Sequence, residues 1–342
     1  MLMLIISNCF RDAADEGCVK VAASLAKQIK KRYANITVVS FDRSASIADR
    51  HLELNKFFLS WELKKILSEE KGRILYIPFP AKSFSIAVRT MMLSLLGRRR
   101  VDLLLSMAGS CSLPAAWLFK CCGTRIYTLS GESEIHYGRK LGKNAVTILK
   151  TGVDTERFVP VAPHQVRALK GKYGLDPDRK VILHVGHLKH GRNIAQLCKL
   201  DSQYQILLVV STLTKDQRDR ELRAQLEQCG NVKILDQYIS QIQEVYQLAD
   251  AYFFPVESHS HCIDVPLSVL EAAACGKPVV TTAFGELQQM QGKQGFYFIE
   301  SFEPEALNCL VEKALADTGG ESRKAVLAYD WKHAAGVLFD EE

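Results

Sequence analysis

Residues 150–164 read "KTGVDTERFVPVAPH", and this stretch decides how the chain is divided. Gly152, Pro160 and Pro163 supply the turn and linker chemistry that ends one structural unit. Before it, apolar runs alternate with helical patterns. The runs are "LMLIIS" (2–7), "ITVVSF" (36–41), "RILYIPF" (73–79), "VDLLLSM" (101–107) and "RIYTLS" (125–130), with an amphipathic helix near 16–32. After it the alternation restarts. "KVILHVG" (180–186) leads to a helix from about 191, "YQILLVV" (204–210) to a charged helix at 215–229, and "VKILDQY" (232–238) to "ISQIQEVYQLAD". "AYFFPV" (251–256) leads to the helix within "DVPLSVLEAAACGKPVV" (264–280). "GFYFIE" (295–300), "EPEALNCLVEKALA" and a final helical pattern ending the chain complete the series. Strand-like runs buried on both faces and separated by helices predict a parallel α/β sheet. The fold class is therefore α/β, as two doubly wound Rossmann-like units facing across a cleft. Ligands are expected beyond the carboxyl ends of the strands.

Composition agrees with two packed units: 342 residues with 47% apolar content exceed one typical core. The formal charge of +6, from 44 basic and 38 acidic residues, suits an anionic small ligand or a membrane surface and is too weak to argue for nucleic acid. Ten cysteines lie scattered without paired zinc spacing, which reads as reduced thiols in a cytoplasmic protein. The N-terminus lacks the basic n-region of a signal peptide, and no run is apolar enough to span a bilayer.

Three segments carry candidate chemistry. In the apolar helix of 264–280, Leu267, Leu270, Glu271 and Ala274 share one face at i, i+3, i+4 and i+7. A lone carboxylate there must meet something. Glu271 is either a structural buried acid or an acceptor for ligand hydroxyls. Asp264 reads as the helix N-cap with Pro266 in the first turn, and a capping Asp can still face a ligand. His259, His261, Cys262 and Asp264 are of metal-ligand type, but their spacing fits no zinc pattern, so no metal is expected. The second segment is "HVGHLKHGRNIAQL" (184–197). Gly186 at a strand end, His187 in the loop and Arg192 opening a helix form a phosphate-binding pattern, against the alternative of a solvated basic loop. The third, "SNCFRDAADEG" (7–17), retains only Gly17 where a dinucleotide fold needs G-x-G-x-x-G, which disfavours nicotinamide or flavin.

Taken together these segments resemble the GT-B glycosyltransferases, and within them the retaining family-4-like group, the glycosyl transferases group 1. "TGVDTERFVP" (151–160) is similar to that family's interdomain signature N-G-V-D-x-x-x-F-x-P. "ILHVGHLKHGRNIAQL" resembles its strand and glycine loop, and "PLSVLEAAACGKPVVTTAFGELQQM" its L-E-A-M-A-x-G-x-P-V-V block. The resemblance is good over about 150–340 and one of architecture before that. It implies an acceptor domain over 1–155 and a nucleotide-sugar donor domain over 156–322. A C-terminal helix at about 323–342, with Trp331, would pack back on the first.

The resemblance implies sugar transfer from a nucleoside-diphosphate sugar to an acceptor hydroxyl, with retention and without a metal or other cofactor. Glu271 falls on the second Glu of an E-x7-E motif and would bind the ribose. The first Glu falls at Ile263, which leaves Asp264, or Glu257 in a longer loop, to address the sugar. Arg192 stands for a diphosphate-binding Lys and His187 for an Arg, and the two would stabilise the leaving group together with helix N-terminal N–H groups. Gly186, Tyr238, Val265, Pro266, Leu267 and Gly17 complete the implied donor pocket. Where the family often has a sugar-contacting His, this chain has Ser130 and Gly131, with His136 further on. "SFSIAVRTMMLSLLGRRR" (83–100) is either a buried crossover helix or a membrane-surface element suited to a lipid-linked acceptor, at an inner membrane face. The competing readings are a degenerate nucleotide-sugar-binding subunit and a GT-B nucleotide-sugar epimerase.

Overall fold

The computed structural model describes residues 3–12, 16–53, 58, 60–107, 109–150, 152–210, 217–257, 262–317 and 320–340. His259, His261 and Thr151 lie outside the described residues. The chain divides into two compact units: Met1–Thr151 with Trp331–Glu342, and Gly152–Asp330.

The first unit is built on strands β1 (Met3–Ser7), β2 (Ile36–Ser40), β3 (Arg50–His51), β4 (Arg73–Ile77), β5 (Val101–Leu105), β6 (Arg125–Thr128) and β7 (Val146–Ile148). They form one parallel sheet in the order β3-β2-β1-β4-β5-β6-β7. Helices α1 (Gly17–Arg32), α2 (Trp61–Glu69), α3 (Ser83–Gly97), α4 (Leu113–Cys121) and α5 (Gly131–Leu141) cover it. β1 is buried at every position, which is why its sequence is an unbroken apolar run rather than an alternation. The chain winds outward from β1 to β3 and then outward again from β4, so the topological switch lies between β1 and β4.

The second unit holds α6 (Pro163–Lys172), β8 (Val181–Gly186), β9 (Gln205–Val210), α7 (Gln217–Gln228), β10 (Val232–Leu235), α8 (Ile242–Leu248), β11 (Ala251–Phe254), α9 (Leu267–Ala274), β12 (Val279–Thr281), β13 (Phe296–Phe298), α10 (Pro304–Leu315) and α11 (Glu321–Val326). Its parallel sheet runs β10-β9-β8-β11-β12-β13, which puts its switch between β8 and β11. The start of this unit is tied to its end. Arg323 on α11 donates to the carbonyls of Thr155 at 2.9 Å and Phe158 at 2.7 Å, and also to that of Ala274, the last residue of α9. Asp330 accepts from the Thr155 N–H at 3.1 Å and pairs with Val153 in an isolated bridge. Residues 323–330, read from the sequence as part of the returning segment, therefore belong with the second unit. The return begins at Trp331, first residue of α12 (Trp331–Asp340), whose backbone accepts from Arg73 at Leu338.

Two expectations change. No α-helix follows β8; two 3-10 turns, His190–Arg192 and Ile194–Lys199, take its place, with Asn193 between them at φ +59°. Asparagine tolerates that left-handed conformation, which breaks a continuous helix. Cys198 and Cys229 are joined by a disulfide, so the cysteines are not all reduced; the other eight are free. Among the described residues, no helix is long and apolar enough to cross a membrane.

Candidate active site

The carboxyl ends of β8 and β11 flank the switch of the second sheet, and most of the candidate residues gather there. Arg192 closes the first 3-10 turn and is 7% exposed. Its Nη2 lies 3.4 Å from the sulfur of half-buried Cys262, in the segment after β11. Burial raises the pKa of that thiol and the nearby guanidinium opposes the rise. Gly186 explains how an arginine fits here. A Cβ on Gly186 would overlap Arg192 Nη1, so any larger residue here would displace the guanidinium from the place it takes against the backbone.

Beneath the guanidinium lies His184, fully buried within β8. Its ring stacks between Tyr252 and Phe254, with centroids 6.3 Å from each. Its Nδ1 lies 2.8 Å from the carbonyl of Phe253, which can only accept, so Nδ1 carries the proton and Nε2 the lone pair. Nε2 is buried without a hydrogen-bond partner. Burial, and next the charge of Arg192, push the imidazole pKa down to about 3, so the ring is neutral at physiological pH.

Glu271 sits on α9 and is 2% exposed. Its neighbours are aromatic hydroxyls. Burial first, then the Glu271 charge, hold the phenol of fully buried Tyr246 well above its ordinary pKa. The same carboxylate acts on Tyr252, whose hydroxyl donates to the Val185 carbonyl at 3.2 Å. Cys275, one turn on, is pushed up to about 12 by burial, with Glu271 adding to the rise. Tyr252 also feels Arg192, so Glu271 and Arg192 both act on one tyrosine of β11, whose hydroxyl meets the end of β8.

Asp264 is 2% exposed, and its backbone carbonyl accepts from Glu286 N–H at 3.1 Å. Gly285, at φ +50°, approaches that carbonyl too closely for any side chain. Asp264 is not the N-cap of α9. The helix starts at Leu267, its N-cap is Pro266, and no side chain caps it. Proline holds the extended conformation an N-cap needs, so the helix starts two residues later than an Asp cap would place it. Pro266 is thus the cap rather than a first-turn residue. Glu271 lies little more than one turn into α9.

Other candidates are placed differently. The side chains of Val265 and Leu267 are buried and pack around Gly152, where a Cβ would collide with Leu267 and Leu270. They serve the core, and only their backbones are available to a ligand. Ile263 is likewise buried. Tyr238 follows edge strand β10 and is 78% exposed, two strands away from β8. Gly17 opens α1 in the first unit. His187 is half-buried directly after Gly186, and Asn193 Nδ2 donates to exposed Glu257 at 3.3 Å. Ser130 is an ordinary N-cap, its hydroxyl accepting from Ser133 N–H on α5 at 3.3 Å. The anion-binding helix start expected after Arg192 does not exist, since a 3-10 turn exposes no comparable row of N–H groups. His184, Gly285 and Tyr246 were not singled out from sequence. A histidine inside an otherwise apolar strand run was the available signal for the first.

Two doubly wound parallel sheets are the architecture of GT-B glycosyltransferase structures. Residues 165–330 match the family model "Glycosyl transferases group 1", and the second unit is a domain of that family. Over 226 residues the chain is 26% identical to the D-inositol 3-phosphate glycosyltransferase of Xylanimonas cellulosilytica, covering 60% of this chain and 52% of that protein. The chain thus spans about half the length of this curated relative. The crystal structure of Anabaena Alr3699/HepE in complex with UDP matches with a TM-score of 0.78 at 16% identity, covering 99% of both chains. A glycosyltransferase from Rickettsia africae ESF-5 matches with a TM-score of 0.80 at 13% identity, covering 99% of this chain and 97% of the other. At such identities the structural likeness is one of fold.

Proposed function

We propose that this protein transfers a sugar from a nucleoside-diphosphate sugar to an acceptor hydroxyl, with retention at the anomeric carbon and without a metal. The acceptor is a glycan or a lipid-linked molecule, met at the cytoplasmic face of a membrane. The observation that carries this reading is Arg192, buried against Gly186 at the switch of the group 1 domain. The transition state separates an oxocarbenium-like sugar from a departing diphosphate, so charge stabilisation matters more than a strong base. Arg192 offers a planar fork for that diphosphate, and His187 and the first-turn N–H groups of α9 add to it. Glu271 receives the ribose hydroxyls and Asp264 faces the sugar.

One observation favours a second reading, a nucleotide-sugar-binding subunit without turnover. Ile263, which stands where the resemblance would put the family's sugar-facing Glu, is a core residue, and Asp264 beside it is almost wholly buried. Calorimetric titration with UDP, followed by a UDP-glucose hydrolysis and transfer assay, separates the two. HepE has been solved with UDP and with UDP-glucose, which makes these the first probes. Transfer or hydrolysis that falls about tenfold or more in Glu271→Gln supports the enzyme. Binding without any turnover supports the subunit. No binding by UDP, GDP, ADP or dTDP removes both.

A further inference from the structure

Among the described residues, two helices of the first unit present an exposed apolar face. Helices α3 and α4 lie side by side, their N-termini joined where Ser112 N–H donates to Ser83 Oγ at 3.0 Å. Their inner sides, Ile86, Leu93, Ala115 and Phe119 among them, fill one core cluster. Their outer sides are also apolar. On α3, Phe84, Val88, Met91 and Leu95 recur at i, i+4, i+7 and i+11, one stripe along the helix. Phe84 is 51% and Leu95 63% exposed, while Val88 and Met91 between them are half-buried against the core cluster. On α4, Leu113 is 74% and Trp117 66% exposed.

Charge says what covers this face. From Lys71 to Gly131 the chain has three lysines and six arginines against one carboxylate, Asp102. Asp102 is buried in β5 and paired with Arg73 at 2.5 Å, so it does not reach the surface. Arg99 is held by the carbonyl of Leu67 at 3.2 Å and by that of Glu70. Lys82 and Arg98 stay exposed at the two ends of α3, and Lys120 stays exposed on α4. Exposed Glu62 and Glu132 lie on the flanking helices α2 and α5, but α3 and α4 carry no carboxylate, and their apolar stripe with cations at its rim suits a surface that is apolar inside and anionic outside. A second copy of the same face would bring like charges together, which disfavours self-association.

We propose that the α3–α4 face docks on an anionic lipid bilayer, with Phe84, Leu95, Leu113 and Trp117 entering the headgroup boundary and Lys82, Arg98 and Lys120 meeting lipid phosphates. The inference deepens the acceptor half of the proposed function by naming the surface that meets the membrane. Its test contains no nucleotide, so it stands or fails apart from donor binding.

The test is flotation of the full chain with phosphatidylcholine vesicles, with and without phosphatidylglycerol. The chain is expected to float with the anionic vesicles alone, less so as salt rises. In a Trp61→Phe background, the emission of Trp117 should shift to the blue on binding, because Trp331 is already buried. The triple variant Phe84→Ser/Leu113→Ser/Trp117→Ser should bind about tenfold more weakly or worse. Lys82→Glu/Lys120→Glu, which leaves the apolar side chains intact, should lose a similar factor. Tyr238→Ser, an equally exposed aromatic in the other unit, should bind as the unaltered chain does. The proposal is overturned if the chain stays unbound with anionic vesicles, or if both multiple variants bind like the parent. Self-association abolished by the triple variant, without vesicle binding, would assign the face to a second copy instead.

Discussion

The two sheets share a topology, yet their switch points are furnished differently. Between β1 and β4 the polar side chains are spent on the backbone itself. Ser7 Oγ donates to the Ile77 carbonyl at 2.6 Å while accepting from Cys9 N–H at 2.9 Å, and Asn8 Oδ1 accepts from Phe79 N–H at 2.6 Å. Arg11, nearby, is well exposed and lies over the Phe79 ring at 5.6 Å. Between β8 and β11 the backbone is stitched by His184 and Tyr252, and a guanidinium is buried over them. A buried charge must be met or it is costly. Among the described residues the first switch is closed by neutral hydrogen bonds, whereas the second holds a buried cation and two buried carboxylates near its strand ends. The same winding can thus make a seam or a site, and the side chains at the strand ends decide which.

The largest expected effect tests the site half of this contrast. Arg192→Ala should weaken UDP binding roughly 100-fold, as loss of charge-assisted bonds to a phosphate does. Gly186→Ala should cost nearly as much, since its methyl takes the guanidinium's place. The double variant should lose little beyond either single one, because both act on one group. Full UDP affinity in Gly186→Ala would separate the glycine from the arginine.

The seam half predicts the opposite pattern. Asn8→Ala should leave the Phe79 N–H unsatisfied and lower unfolding free energy by roughly 1–3 kcal/mol, with UDP affinity unchanged. A drop in UDP affinity without a drop in stability would make the first switch part of the site.

The smallest effect is on pH. The His184 pKa is about 3 folded against 6.5 unfolded, so between those values the unfolded chain binds the extra proton. The stabilising contribution is complete above pH 6.5 and declines as pH falls through that window. Lowering pH from 6.5 to about 5.5 should remove about 1 kcal/mol through this group. His184→Phe, which keeps the stack, should flatten that dependence of the unfolding midpoint. An unchanged slope would show that the ring is not buried neutral.

Periodicity made most of the architecture legible. The strand runs and the break near Gly152 follow from side-chain solubility, which local sequence states directly. The short edge strands β3 and β7 carried too few residues to read that way. Reading failed where one residue overrides a pattern. Asn193 stops the helix predicted after β8, and Pro266 moves the start of α9 away from Asp264. The side chains of Val265 and Leu267 turn inward, where Gly152 leaves space for them. Tyr238 lies exposed in the segment that follows edge strand β10.

By itself the sequence determined two wound sheets, the strand ends to inspect, and the family block around Glu271. Each of these is set by residues close in the chain, through hydrophobic period and turn chemistry. What meets Glu271 and Arg192 was decided only by tertiary structure. Tyr246 and Tyr252 reach Glu271 from α8 and β11, and Cys262 reaches Arg192 from 70 residues away. A buried charge is made tolerable by groups that the fold, not the neighbouring sequence, brings to it.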